Sequence, residues 1–352
     1  MKLFNCQSCG QTLMFENTQC EACGHALGFV APSLSLHALT PVEGGFQLLG
    51  DTSGNLWRYC DNHQHGACNW LVTGEDQLCT ACELNRYIPN LNGIEEKEAW
   101  QQLEFAKHRL VYSLLRLNLP VVSKVASPDG LAFDFISEEN QVPEEASTLT
   151  GHADGQVTIN AAEADAVERE QMREDMNESY RTLIGHFRHE VGHYYWDVLI
   201  GADETKIAAF RALFGDEQLD YAEALEQHYA TPKADWRDSH ISVYASSHPW
   251  EDWAETWAHY FHLMDTLETA HALGMSLNPA SGTHPNVYMP LLADPYEVSD
   301  FDALMSQYLP LTFAVNSLNR GMGQPDLYPF VLVPKVREKL AFVHQLLREG
   351  KQ

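Results

Sequence analysis

The spacing of apolar residues separates a first quarter built of short segments from a longer, mainly helical remainder. Between residues 94 and 117 large apolar side chains recur at helical spacing without glycine or proline, which predicts one long helix. The same spacing predicts further helices in the C-terminal half, at 206–213, 221–228, 250–267 and 336–347.

Strand patterns are confined to shorter stretches. Residues 26–58 alternate short apolar runs with glycine and proline, which predicts strands joined by turns. Two further stretches, 131–139 and 148–160, also read as strands, the second folded around a turn. A β-rich start followed by a mainly helical domain with a small sheet predicts the α+β fold class.

One predicted helix carries metal-binding chemistry. Residues 186–200 are apolar on nearly every face, which predicts a buried helix. His189 and His193 are four positions apart, so their imidazoles share one side and can bind the same metal ion. Glu190 lies one step round the helix, where it can take a proton from water at the metal. The motif His189-Glu190-Val191-Gly192-His193 therefore predicts a zinc site with Glu190 as general base.

A catalytic zinc needs a third protein ligand, and a second helix offers two candidates. Pro249 suits the first turn of that helix. Glu251 and Glu255 are four apart and share a face among tryptophan and alanine residues, so either carboxylate can complete the site. Asp197, four positions after His193, either orients that imidazole or is a surface acid near the helix end.

All eight cysteines lie in the N-terminal quarter. The first four form two Cys-x2-Cys pairs, the pattern of a structural zinc ribbon: Cys6, Cys9, Cys20 and Cys23. The other four predict a second structural zinc site: Cys60, Cys68, Cys79 and Cys82. Only the last two of these have standard spacing, so replacement of one cysteine by His63 or His65 stays open.

The net charge of the chain and the composition of its first ten residues restrict the expected binding partners and cellular location. The net charge of −27 and the scarcity of Lys and Arg among the cysteines disfavour nucleic acid and an anionic membrane surface. The ribbons are instead expected to contact protein or to support the catalytic domain. The first ten residues carry one lysine and no apolar run, which predicts no secretory signal and a cytoplasmic location. Reduced thiols in that compartment favour zinc over disulfides.

The two helical motifs together resemble the gluzincin metallopeptidases, in which HExxH is followed by a helix bearing E-x-x-x-[DE]. This resemblance implies that Glu251 is the third zinc ligand and that Glu255 hydrogen-bonds the other nitrogen of His189. The reverse choice, with Glu255 on zinc, is the alternative. Catalytic domains similar to anthrax lethal factor also carry a tyrosine seven residues before the ligand glutamate. Tyr244 stands seven before Glu251, so the resemblance implies that it stabilises the oxyanion.

The whole chain resembles bacterial zinc-binding metallopeptidases that carry an N-terminal zinc-ribbon region. Besides the cysteines and the two helical motifs, the segments 67–70 and 151–155 carry this resemblance. It implies a zinc-dependent peptidase acting on a peptide or protein substrate, with one catalytic and two structural zinc ions. The predicted domains are a zinc ribbon (1–25), a second ribbon-like β-rich module (26–92) and a zincin-like metallopeptidase domain (93–352).

Other functions fit the same residues. An isopeptidase, or a hydrolase that trims a peptide tag, would use the same site on a different bond. A ribbon-based adaptor would only bind peptides, but such a binder has no use for the general base Glu190. A protease acting on DNA-bound proteins is disfavoured by the acidic charge. The strand at 156–160 is either an edge that pairs with an extended peptide or an ordinary member of its sheet.

Overall fold

The computed structural model describes residues 2–137, 151–175, 182–280, 287–291 and 293–349. The chain divides into two units, and the described residues up to 187 belong to the first. The second unit begins at residue 188, inside the helix Leu183–Trp196. Parts of the strands predicted at 131–139 and 148–160 lie outside the described residues.

Short antiparallel strands dominate the start of the first unit. β1 (Phe4–Asn5) pairs with β2 (Thr12–Leu13) in a two-stranded sheet. A five-stranded antiparallel sheet then follows chain order: β3 (Leu27–Val30), β4 (Ser35–Val42), β5 (Gly45–Leu48), β6 (Trp57–Tyr59) and β7 (Leu71–Thr73). The strands and turns predicted for residues 26–58 are thus confirmed.

A mixed four-stranded sheet occupies the rest of the first unit, in the order β10-β11-β9-β8. Its strands are β8 (Asn85–Tyr87), β9 (Ala132–Ile136), β10 (Gly151–Ala153) and β11 (Gln156–Asn160). β11 pairs with β9 along its length and with β10 on its other side. Because β11 is an interior strand, the hypothesis that it is an edge open to a peptide is wrong.

Helix α1 (Ile94–Arg116) packs against the aromatic core of the first unit. Its Tyr112 ring lies 5.4 Å from Phe15 and 6.2 Å from Phe29, and Phe29 lies 4.6 Å from Trp70. All four rings are buried. Burial of one such side chain contributes about 1.5–3 kcal/mol, so this cluster holds the short strands against α1. The unit also contains α2 (Ala166–Asp175).

The described elements of the second unit are helices and helical turns. They are α3 (Leu183–Trp196, from residue 188 on), α4 (Glu204–Phe214), α5 (Tyr221–Ala230), α6 (Pro249–Ala272), α7 (Phe301–Gly321) and α8 (Pro334–Glu349). All six predicted helices, including the long helix α1 and the helix predicted at 186–200, are confirmed, as is the α+β class. The predictions omitted α7, whose interior holds Pro310, a residue that normally marks a helix boundary.

Helix α6 forms the centre of the second unit. Trp253 and Trp257 on it are fully buried, and it packs against α4, α7 and α8. A buried ion pair of 2.5 Å between Asp252 and Lys339 joins α6 to α8. Within the described residues, no helix combines the length and the apolar character that a membrane span requires.

Candidate metal centres

A close helix crossing brings the two predicted helical motifs together. At Gly192 of α3, an added Cβ would lie 3.1 Å from the Trp257 ring and 3.2 Å from the Ala254 Cα of α6. Glycine therefore allows the two helices to approach at this level. The Trp253 indole N–H donates a hydrogen bond of 2.8 Å to the Gly192 carbonyl and fixes the crossing.

Three predicted ligand groups converge at this crossing. His189 Nε2 lies 2.9 Å from Glu251 Oε2, and His193 Nε2 lies 3.6 Å from Glu251 Oε1. One ligand atom from each of the three residues lies within 4.8 Å of the others. All three side chains are buried, and Glu251 is only 1% exposed.

Glu255 occupies a different place beside the same histidine. His189 Nδ1–H donates to Glu255 Oε1 over 2.9 Å. The Ser242 hydroxyl donates to Glu255 Oε2 over 2.7 Å. Both oxygens of Glu255 therefore have protein donors, and its hydrogen bond fixes the tautomer in which His189 Nε2 faces Glu251.

The donor set fits a zinc ion. With Nδ1–H given to Glu255, a neutral His189 turns the lone pair of Nε2 towards a carboxylate oxygen of Glu251. Two such atoms stay 2.9 Å apart only when positive charge lies between them, as a proton or a metal ion supplies. Two imidazole nitrogens and one carboxylate oxygen are ligands that catalytic zinc uses.

The charges of this group are strongly coupled. Burial alone would lower the pKa of His189, but hydrogen bonds to Glu251 and Glu255 raise it well above its usual value. Burial alone would raise the pKa of Glu251, but His193 and His189 lower it to about 2. The carboxylate is therefore ionised at neutral pH, as a metal ligand must be.

Glu190 and Tyr244 lie beside the same centre. The Tyr244 ring centroid is 5.9 Å from that of His189. Burial, followed by the charge of Glu251, raises the pKa of Tyr244 well above its usual value, and the charge of Glu190 adds to this shift. Tyr244 is therefore a neutral hydrogen-bond donor at neutral pH, and Glu190 is half-buried nearby.

Sequence reasoning missed Tyr221. Its hydroxyl donates a hydrogen bond of 2.6 Å to Glu251 Oε1, on the same carboxylate that faces the two histidines. Burial, followed by the charge of Glu251, raises the pKa of Tyr221 well above its usual value, so this hydroxyl is neutral at neutral pH. Tyr221 lies 30 residues before Glu251 and belongs to no recognisable motif, so only the predicted helix start at 221 marked the position.

Other polar groups near these motifs serve the helix packing. The Arg188 guanidinium contacts His262 Nδ1 and pairs with Asp265, which ties α3 to α6. The His259 ring is hydrogen-bonded to the Tyr328 hydroxyl at 2.8 Å. Asp197 is exposed and begins the π-helical turn Asp197–Gly201, so the structure leaves its role in orienting His193 as a prediction.

The first four cysteines converge in the first unit. The Sγ atoms of Cys6 and Cys23 lie 3.6 Å apart, and those of Cys9 and Cys20 lie 3.7 Å apart. A disulfide needs about 2.05 Å, whereas zinc–sulfur bonds of about 2.3 Å in a tetrahedron place the sulfurs about 3.8 Å apart. The observed spacing fits a zinc ion.

The second four cysteines also converge, and all four are buried. The Sγ atoms of Cys68 and Cys79 lie 3.7 Å apart. Among the described residues, the clusters of side chains in this region that could bind a metal ion contain the four cysteines but neither His63 nor His65. His63 Nδ1 instead lies 2.8 Å from the Cys68 carbonyl oxygen.

Helix α1 places two unpredicted polar groups against this second cluster. His108 Nε2 and Glu104 Oε2 each lie 3.6 Å from Cys82 Sγ. His108 Nδ1–H donates to the Glu104 carbonyl over 2.6 Å, and the Lys107 ammonium pairs with the Glu104 carboxylate over 2.8 Å. The only sequence signal was the spacing of Glu104 and His108, four apart on a predicted helix.

Comparisons with known proteins cover nearly the whole chain. The family described as "putative zinc-binding metallo-peptidase" matches residues 96–346, and a zinc-ribbon domain family matches residues 3–93. Uncharacterized proteins of Mycobacterium bovis and of two strains of Mycobacterium tuberculosis are each 40% identical over 353 residues. These alignments cover 99% of this chain and 96% of each relative. No solved structure matches the chain.

Proposed function

Because this chain belongs to the family of putative zinc-binding metallo-peptidases, we propose that it hydrolyses peptide bonds as a gluzincin-type enzyme. One observation carries the proposal. His189, His193 and Glu251 converge on one point, while Glu255 is bound to the opposite nitrogen of His189. This is the arrangement that a zinc ligand set and its supporting carboxylate require.

Each residue then has a distinct task. His189, His193 and Glu251 would hold the zinc ion, which would supply Lewis-acid activation of water and of the scissile carbonyl. The Glu190 carboxylate accepts the proton of the attacking water and delivers it to the leaving amine. The neutral Tyr244 hydroxyl donates a hydrogen bond to the oxyanion of the tetrahedral intermediate. Glu255 keeps His189 in the tautomer that directs Nε2 to the metal.

The two cysteine clusters hold structural zinc in this proposal. Four thiolates fill the coordination of each ion and leave no position for substrate. We therefore expect about three zinc ions per chain, measured by elemental analysis of protein purified without added metal. The double change Cys6→Ser and Cys9→Ser should remove one ion and leave the catalytic site loaded. A total near one zinc ion per chain would show that at least one of the two cysteine clusters does not bind zinc.

Tyr244→Phe tests the oxyanion role. The change removes one hydroxyl, so kcat on a peptide-library substrate should fall by about 10²–10³-fold, as expected for loss of one oxyanion donor. Zinc content should stay unchanged. Tyr229→Phe is the matched control, because Tyr229 is 69% exposed in the same unit. Near-normal turnover by Tyr244→Phe would show that the ring merely packs.

The bond cleaved is tested directly by the products. Mass spectrometry of a peptide library should show new α-amino termini after incubation with the zinc-loaded protein. A parallel substrate joined through a lysine side chain tests the isopeptidase alternative, which uses the same residues. Peptide binding without cleavage of either substrate would favour the non-catalytic adaptor and overturn the proposed function.

A further inference from the structure

The two oxygens of Glu251 have different partners. Oε2 faces His189 Nε2 at 2.9 Å, and Oε1 accepts the Tyr221 hydroxyl at 2.6 Å. The second distance is typical of a strong hydrogen bond between a hydroxyl and an ionised carboxylate. Because Glu251 is 1% exposed, water has little access to replace this donor.

We propose that Tyr221 is a positioning residue of the metal centre, which holds Oε1 of Glu251 so that Oε2 alone serves as ligand. This inference rests on the proposed function, because it takes Glu251 as a zinc ligand. A carboxylate can bind a metal through one oxygen or through both. A phenol fixed on Oε1 favours the first mode, which leaves a coordination position for water or substrate.

The fold fixes Tyr221 at this place. Tyr221 is the first residue of α5, directly after Asp220, whose carboxylate accepts the Glu223 N–H and caps the helix. His248 is the cap of α6, three residues before Glu251, and its Nδ1 accepts the Trp250 N–H. Its Nε2–H donates to the Leu219 carbonyl over 3.1 Å.

His248 therefore joins the starts of the two helices that carry Tyr221 and Glu251. Its ring also lies edge-on to the Tyr221 ring, with 5.3 Å between the centroids. The other contacts of α5 are sparse, because among its ten residues only His228 is buried. The Tyr221 hydroxyl is thus directed at Glu251 by local capping rather than by deep packing.

Tyr221 and Tyr244 differ in what they act upon. The Tyr221 hydroxyl acts through Glu251, so its loss should appear in metal binding. The Tyr244 hydroxyl is assigned to the oxyanion, so its loss should appear in turnover only. Each variant is therefore measured for both zinc affinity and turnover.

Tyr221→Phe provides the test. Competitive chelator titration should show that the catalytic zinc binds about 10–100-fold more weakly, the usual effect of losing a partner of a ligand. The catalytic ion is identified as the one absent from Glu251→Ala. Tyr229→Phe on the same helix and Tyr244→Phe should both keep the wild-type affinity. The thermal midpoint of each variant in excess chelator checks that the fold is retained.

The outcome that overturns the inference is a zinc affinity of Tyr221→Phe within about twofold of wild type. A second variant, Asp220→Ala, removes the cap of α5 but keeps the hydroxyl, and it should weaken zinc less than Tyr221→Phe. An equal or larger loss would assign the effect to the helix start as a whole. Zinc affinity is measured without substrate. If Tyr221→Phe binds zinc more weakly as predicted but the wild-type protein cleaves no peptide, only the proposed function is overturned.

Discussion

Glu190→Gln is expected to reduce peptide turnover by about 10²–10⁴-fold while the zinc content stays at its wild-type value. The amide keeps the size and polarity of the side chain, but it cannot accept a proton from water at neutral pH. Glu190 lies near Tyr244, since its charge contributes to the raised pKa of that residue. Turnover of the peptide-library substrate and elemental analysis are measured on the same preparation.

The matched control is Glu226→Gln on α5, because the Glu226 side chain is exposed and takes no part in the proposed site. It should turn over the library like the wild type. Peptide binding by Glu190→Gln, measured by fluorescence anisotropy, should be preserved, because only the proton acceptor is lost. Normal turnover by the zinc-loaded Glu190→Gln variant would exclude the proposed mechanism.

Helical periodicity in the sequence was enough to predict most of the helices. The helices α1, α4, α5, α6 and α8 each place apolar residues at a spacing that needs no tertiary information. In α7, Pro310 removes one backbone donor from the middle of the helix, and only packing in the folded chain decides that the helix continues. The boundaries 1–25, 26–92 and 93–352 stay a prediction, while the structure divides the chain at residue 187.

Spacing along the chain, taken without the family resemblance, predicted only those residues of the candidate site that lie close together in the sequence. His189 and His193 share a helix face by their spacing alone. Tyr221 and His108 reach their clusters through tertiary contacts, so no local pattern marks them. Spacing also cannot distinguish Glu251 from Glu255, because both lie on the face of α6 that meets α3. Their roles depend on which one faces Nε2 and which one faces Nδ1 of His189.

Glu251→Ala is therefore expected to remove the catalytic zinc and lower the total from about three ions to about two. The variant deletes the one carboxylate whose oxygens face both histidines, at 2.9 Å and 3.6 Å. Two imidazoles alone leave the metal short of the three protein ligands that catalytic zinc sites use. Elemental analysis after gel filtration gives the count, and circular dichroism checks that the helices persist.

Glu255→Ala should keep the third zinc ion but bind it about 10–100-fold more weakly. This change leaves all three ligand atoms in place and removes only the acceptor of the His189 Nδ1–H and of the Ser242 hydroxyl. The imidazole then loses its fixed tautomer, so part of the population directs a protonated Nε2 at the metal position. Competitive chelator titration ranks the two variants. If Glu255→Ala lost the ion and Glu251→Ala kept it, the carboxylate assignment would be reversed, and Tyr221 would no longer act on a ligand.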